Sequence, residues 1–169
     1  TLERALAAQE ALGDKAGAAS TLDGIGDVHR SLGDYAKALS TYERALAAAE
    51  TLGKQAWAAL ALGQIGVVHF RLGDYAKALS FGERALAAQD ALGDHVQAAA
   101  TLGNLGIVHR ALGDYAKALA MYERALAAME ALGNKHGTAL MLGNFCTVTA
   151  ATEVYANSLT ISLRAALPI

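Results

Sequence analysis

Apolar residues recur along this chain at spacings of three and four, and glycine followed by a polar residue cuts the stripes at regular intervals. Residues near Gln55 to Arg71 carry Leu60, Leu62, Ile65, Val68 and Phe70, a mostly helical spacing with glycines let in, which predicts one helix. Leu72-Gly73-Asp74 then stops it: glycine suits the left-handed position just past a helix, and Asp74 can cap the next one. Residues near Tyr75 to Leu92 carry Tyr75, Ala78, Leu79, Ala85 and Leu86, a second helical stripe. The same punctuation falls at Gly13-Asp14, Gly33-Asp34, Gly53, Gly93-Asp94, Gly113-Asp114 and Gly133-Asn134. Loops this short force antiparallel neighbours. The expectation is more than about two-thirds helix, far above the ~30–35% of an ordinary globular chain, and no sheet.

The punctuation has a strict period. Gly-Asp-Tyr-Ala-Lys-Ala-Leu starts at Gly33, Gly73 and Gly113, 40 residues apart, and Glu43-Arg44-Ala45-Leu46 returns at Glu83 to Leu86 and Glu123 to Leu126. Such a period marks a stack of identical supersecondary units, whose natural product is a long concave surface rather than one crevice. The units read as a terminal half repeat at 1–13, full repeats at 14–53, 54–93 and 94–133, and a degenerate or capping repeat at 134–169. Thr1 to Leu6 match Thr41 to Leu46 in register, so the chain reads as a fragment of a longer array, beginning in mid-repeat. Gly26, Gly66 and Gly106 fall inside helices, where glycine costs roughly 0.5–1 kcal/mol against alanine. A cost met three times in one register implies close helix approach, with Ala38, Ala78 and Ala118 as the small residues opposite. Beyond Asn144 the pattern decays. Cys146 stands where the packing glycine is expected and Glu153 where the turn glycine is expected, while Tyr155, Leu159 and Arg164-Ala165 keep register. The tail from Ser158 to Ile169 reads as a capping helix or a non-native ending.

Composition narrows the partners. Net charge is −2 over 169 residues, which leaves no basic footprint for nucleic acid or an anionic membrane. No apolar run approaches the ~20 residues a membrane span needs, and no signal-peptide pattern is present. Cys146 is the single cysteine; it makes no internal disulfide and fits a reducing compartment, which suggests the cytoplasm.

The chain resembles tetratricopeptide repeat proteins. That family's pattern of Leu-Gly, an aromatic, Gly, Tyr, Ala, an aromatic and Ala is met by Ile25-Gly26, His29, Gly33, Tyr35, Ala38, Tyr42 and Ala45. The next repeat gives Ile65-Gly66, His69, Gly73, Tyr75, Ala78, Gly82 and Ala85, and the third gives Leu105-Gly106, His109, Gly113, Tyr115, Ala118, Tyr122 and Ala125. The common repeat of the family is about 34 residues. The 40-residue form here is similar to the Leu-Gly-Asn repeats of spindle-orientation adaptors and, more loosely, of kinesin light chains, as Leu102-Gly103-Asn104 and Leu142-Gly143-Asn144 indicate. Repeat one departs with Leu22-Asp23-Gly24, and repeat two with Gln64. The resemblance implies an all-α solenoid of antiparallel helix pairs wound into a right-handed superhelix, with three good pairs and one eroded pair after a terminal helix.

It also implies a site. In this family the first helix of each repeat lines the concave face. Carried over, that face holds Asp23, Asp27 and Arg30 in repeat one and Trp57, Leu60, Gln64, Val67, Phe70 and rim residue Arg71 in repeat two. Repeat three adds Asn104, Ile107 and Arg110, and the partial fourth adds Asn144. Amides bond a partner's backbone, arginines clamp its carboxylates, and Phe70 and Trp57 are the usual kind of anchor. The expected function is a scaffold or adaptor that holds a peptide segment with acidic and apolar residues. The readings left open are a sensing module of a larger regulatory protein and a structural spacer. Exposed array ends offer a surface for self-association.

Other side chains read as structural. His29, His69 and His109 sit one repeat apart, too far to converge on a metal, and take the place of the family's aromatic. The Glu-Arg pairs at 43–44, 83–84 and 123–124 read as a solvated face, and Cys146 as a small buried residue. No enzyme activity, metal or cofactor is expected.

Overall fold

The computed structural model describes the backbone of residues 1–166 and the side chains of 1–150 and Thr152. The chain is 86% helical, with no strand among the described residues. Its helices are α1 (Leu2–Ala11), α2 (Lys15–Ser31), α3 (Tyr35–Thr51), α4 (Gln55–Arg71), α5 (Tyr75–Leu92), α6 (His95–Ala111), α7 (Tyr115–Ala131) and α8 (Lys135–Ala166).

The turn chemistry is as the sequence dictates. At Gly73, φ is +78°, a left-handed conformation that costs glycine little. The amide of Gly73 donates to the Phe70 carbonyl at 3.0 Å and that of Asp74 to His69 at 2.9 Å, so the last carbonyls of α4 are satisfied. Asp74 then accepts the Lys77 amide at 3.2 Å and starts α5. Asp14, Asp34, Asp94 and Asp114 cap α2, α3, α6 and α7 in the same way, and Asn134 accepts from Gly137 at the start of α8. Helices α1 and α4 lack such a bond, α1 with Thr1 at its cap position. Lys54 stands at the cap position of α4 and supplies no side-chain acceptor.

Helices pair as α2–α3, α4–α5 and α6–α7, and each second helix also packs on the first helix of the next pair. Helix α4 lies against α6, and α6 against α8, whereas α3, α5 and α7 make no comparable contact with one another. The first helices are therefore the more closely spaced layer, and the array bends towards them. The core runs between the layers: Ala38, Tyr42, Ile65 and Val68 form one cluster, and Ala99, Leu102, Ala118, Tyr122, Val148 and their neighbours another.

The helical glycines are close-approach sites, but their partners differ from the simple expectation. A methyl group on Gly26 would lie 2.5 Å from Tyr42 Cε1, and one on Gly106 would lie 2.6 Å from Tyr122 Cε1. Their main partner is a tyrosine ring, not Ala38 or Ala118. Only at Gly66 is the approach to backbone, 3.3 Å from both the Ala78 carbonyl and the Gly82 nitrogen.

The end of the array also differs from expectation. Instead of an eroded pair, α8 continues without a turn through Glu153. Nothing at that position stops a helix as glycine would. Cys146 is exposed rather than buried, since among the described residues no further helix packs on that face of α8. The register of Tyr155, Leu159 and Arg164-Ala165, and the capping role of the tail, concern side chains outside the described residues.

Gly106→Ala is expected to lower stability by about 1–2 kcal/mol in chemical denaturation. The clash with the fully buried Tyr122 ring, 2.6 Å away, costs about 2–3 kcal/mol, the upper part of the overpacking range, against a gain of ~1 kcal/mol in helix propensity. An unchanged midpoint would mean that the ring does not rest on the glycine.

Candidate functional site

The inner layer carries the expected face, and the structure divides it into three parts. In repeat one the groups are tied to each other. Asp27 Oδ1 accepts from the Tyr42 hydroxyl at 2.7 Å, from Arg30 at 2.9 Å and from Gln64 Nε2 at 3.4 Å. Arg30 Nε also donates to the Tyr42 hydroxyl at 3.3 Å. Burial, then the bond to Asp27, raises the tyrosine's pKa, so the hydroxyl stays a donor. Hydrogen bonds to Asp27 and Tyr42 likewise hold the Arg30 charge in place. Asp27, Arg30 and Gln64 thus serve this network first.

A second part is a cleft of ≈ 110 Å³ where α4 meets α2 and α3. It gathers Asp23, Trp57 and Leu60 with Ala19, Ser20, Ala45 and Ala61. Asp23 is half-buried there, and burial followed by the charge of Asp27 pushes its carboxyl pKa up. Trp57 remains 38% exposed, with the Lys54 ammonium 5.9 Å from its ring centre.

A third part brings together Val67, Phe70, Arg71, Asn104 and Ile107 around a cavity of ≈ 90 Å³ between α4, α5 and α6. Its floor is Gly66, Ala78 and Gly82, and Thr101, Leu105 and Val108 complete the walls with Gly63. Neither Arg71 nor Arg110 has an ion-pair partner among the described residues, in contrast with Arg30. Arg110 follows Ile107 by one helical turn and is close enough to Tyr122 for its charge to oppose the rise that burial imposes on that hydroxyl's pKa. Asn144, half-buried on α8, lies apart from the cavity lining.

Comparing equivalent positions accounts for the cavity. Repeat one has Asp27, Arg30 and Tyr42 where repeat three has Ile107, Arg110 and Tyr122 and repeat two has Val67, Phe70 and Gly82. With Ile107 in place of the aspartate, the Tyr122 hydroxyl is buried without a partner. With Gly82 in place of the tyrosine, the ring itself is missing. Gly82, Thr101 and Leu105 line the cavity without belonging to the face expected from the sequence. The signal for Gly82 was the Tyr-Gly-Tyr series at 42, 82 and 122.

The remaining candidates are structural. His69 is buried and stacked on Phe81, with ring centres 5.5 Å apart. His109 is buried in the equivalent place, and among the described residues no three His, Cys, Asp or Glu side chains are grouped to hold a metal ion. Glu43, Arg44, Glu83, Arg84, Glu123 and Arg124 are all exposed, and Arg44 reaches Glu10 at 3.0 Å.

Stacked hairpins with a bare, closely spaced inner layer define a helical-repeat solenoid. Residues 1–51 and 57–131 match the tetratricopeptide repeat model, and the chain belongs to that family. Its repeats make it a protein-interaction module. No curated protein matches it. Among solved structures it is similar to BtubC (BKLC) from P. vanneervenii, at 19% identity and TM-score 0.74 over 92% of this chain and 68% of that one. It is also similar to aspartyl phosphate phosphatase F from Bacillus subtilis, at 16% identity and TM-score 0.77, covering 85% of this chain but 38% of the other. The first repeat domain of Spaghetti (RPAP3), bound to the HSP90 peptide SRMEEVD, matches at 19% identity and TM-score 0.62, over 80% and 93% of the two chains. At these identities the likeness is one of fold. No helix among the described residues is long and apolar enough to cross a membrane.

Asp27→Ala is expected to destabilise the fold by about 1 kcal/mol. The value lies at the low end for a lost charged hydrogen bond, because the Asp27 side chain stays 43% exposed. Once Tyr42 is replaced by Phe, the same change is expected to cost less. Additive losses in this double-mutant cycle would rule out the network.

Proposed function

We propose that this chain captures a peptide segment of a protein partner along the face formed by α2, α4, α6 and α8, as a scaffold or adaptor. The observation that carries the reading is a contrast in one layer. Apolar side chains of Trp57, Leu60, Val67, Phe70 and Ile107 remain incompletely covered, and Arg71 and Arg110 beside them have no ionic partner among the described residues. An apolar anchor flanked by carboxylates meets both needs. Asn104 is exposed beside the cavity, where its amide is free to bond a partner's backbone. The acidic peptide held by the Spaghetti domain is the same kind of ligand on the same fold. A cytoplasmic setting belongs to this proposal, since an exposed lone thiol such as Cys146 is chemically safest in reducing surroundings.

The test is to select peptides from a random display library on the whole chain and measure their affinity by fluorescence anisotropy. Arg110→Glu is expected to weaken binding strongly at low salt and less at high salt. Phe70→Ala is expected to weaken it by about 2 kcal/mol with little salt dependence. Full affinity in both variants would move the site to another surface, and a failure to select any saturable binder would favour a structural spacer.

A further inference from the structure

We infer that the cavity of repeat two is a side-chain pocket that takes one phenyl ring, supplied by a phenylalanine of an acidic partner segment. The inference rests on the peptide-capture reading and specifies its anchor. In repeats one and three the space against the helical glycine is filled from within, by Tyr42 on Gly26 and Tyr122 on Gly106. Repeat two loses the ring, because Gly82 stands at the tyrosine position; the α5 backbone closes on Gly66, 3.3 Å from where a Cβ would lie, and Leu105 leans over Gly82, so only part of the ring's space stays empty. What remains is ≈ 90 Å³, bounded by Gly66, Val67, Phe70, Ala78, Gly82 and Leu105 and open towards the inner layer. An apolar cavity of about 150 Å³ encloses a benzene ring completely. The smaller space here therefore holds a ring that enters edge-first and keeps its Cβ at the mouth.

The chemistry of the walls selects phenyl over phenol. The polar partners that hold the Tyr42 hydroxyl are Asp27 and Arg30, and repeat two has Val67 and Phe70 in their places. A ring entering from the inner face would put its far edge against Ala78, Gly82 and Leu105, where a hydroxyl would find no carboxylate to accept its proton. The charge at the mouth selects the flanking residues. Arg71 lines the cavity, Arg110 stands one turn beyond Ile107, and neither is paired among the described residues, so carboxylates beside the phenylalanine complete the fit. Asp23 and Asp27 lie on the repeat-one side, so the acidic residues belong on the repeat-three side.

Two probes separate the pocket from the peptide. In amide-resolved NMR, toluene is expected to shift Gly63, Gly66, Thr101 and Ile107 saturably, with p-cresol about tenfold weaker because of its unpaired hydroxyl. Gly82→Tyr is expected to abolish the toluene shifts by restoring the sister repeats' ring. A Cβ at this position would meet Leu105 Cδ2 at 2.7 Å, so Gly82→Tyr is paired with Leu105→Ile, which recreates the Tyr42–Ile65 combination of repeat one. A short Asp- and Glu-rich peptide with one central Phe is expected to bind the unaltered chain at least about tenfold better than its Ala counterpart, and to lose that preference in both variants. Absence of saturable toluene shifts, or toluene shifts that persist in both variants, overturns the pocket. Peptide binding that keeps its Phe preference in both variants upholds capture and overturns the pocket as the anchor site. Toluene binding with no binding of the Phe peptide upholds the pocket and overturns the occupant proposed for it.

Discussion

The contact between a helical glycine and the ring of the following helix sets the geometry of the whole array. Gly26 and Gly106 have no side chain, and the Tyr42 and Tyr122 rings occupy space where even a methyl group would clash. This lets the two helices of a pair close up through an aromatic plate rather than through interdigitated aliphatic chains. The closeness is what a stack of short hairpins needs, since each unit has only its neighbours to bury it. Much of the composition follows. The second helices are rich in alanine because small side chains at Ala38, Ala45, Ala78, Ala85, Ala118 and Ala125, all buried, allow the next unit to nest.

Against this constraint, repeat two is the informative exception. Removing a large aromatic side chain from a packed core ordinarily costs about 3–5 kcal/mol. Here the loss is reduced by the shift to a backbone approach at Gly66 and by Leu105, which leans over Gly82 from the next unit. What packing does not recover remains as the cavity. The same repeat also lacks a side-chain cap on α4, where Lys54 replaces the usual aspartate. A stack tolerates such a unit because the interfaces on both sides share the burden, which a single-core domain of this size does less well.

Most of the fold was legible because its signals are local. Leu-Gly punctuation marks where α4 and α5 begin and end, and the helices expected near Gln55 to Arg71 and near Tyr75 to Leu92 are there. The inner layer was legible through the family resemblance, and five of its expected residues, Val67, Phe70, Arg71, Asn104 and Ile107, do converge on one cavity. The rest depended on contacts between units. Asp27 and Gln64 are 37 residues apart in sequence yet hydrogen-bonded, and no period in the chain announces that pairing. Gly82 was visible as a break in a Tyr-Gly-Tyr series, but its meaning required knowing which helix the ring leans on. The fate of the last helix was illegible for a different reason. Loss of the turn glycine at Glu153 removes a stop signal without supplying a new one, so α8 runs on and Cys146 stays bare.

Near-identical repeats carry an advantage for reading function: where the scaffold is held constant, a difference between units stands out. Repeat one satisfies its own polar groups, since Asp27 gathers Tyr42, Arg30 and Gln64. Repeat three keeps the tyrosine and loses the carboxylate, which strands the Tyr122 hydroxyl and leaves Arg110 unpaired among the described residues. Repeat two loses carboxylate, arginine and ring together. Along one face the layer thus passes from internally satisfied, to open and apolar, to cationic. In the proposed peptide capture, such a gradient would give the bound segment a direction as well as a place. Reversing the segment would put its carboxylates beside Asp23 and Asp27, and like charges oppose each other there. Orientation then follows from charges already used or left over by the packing of each repeat, with no added element to read it.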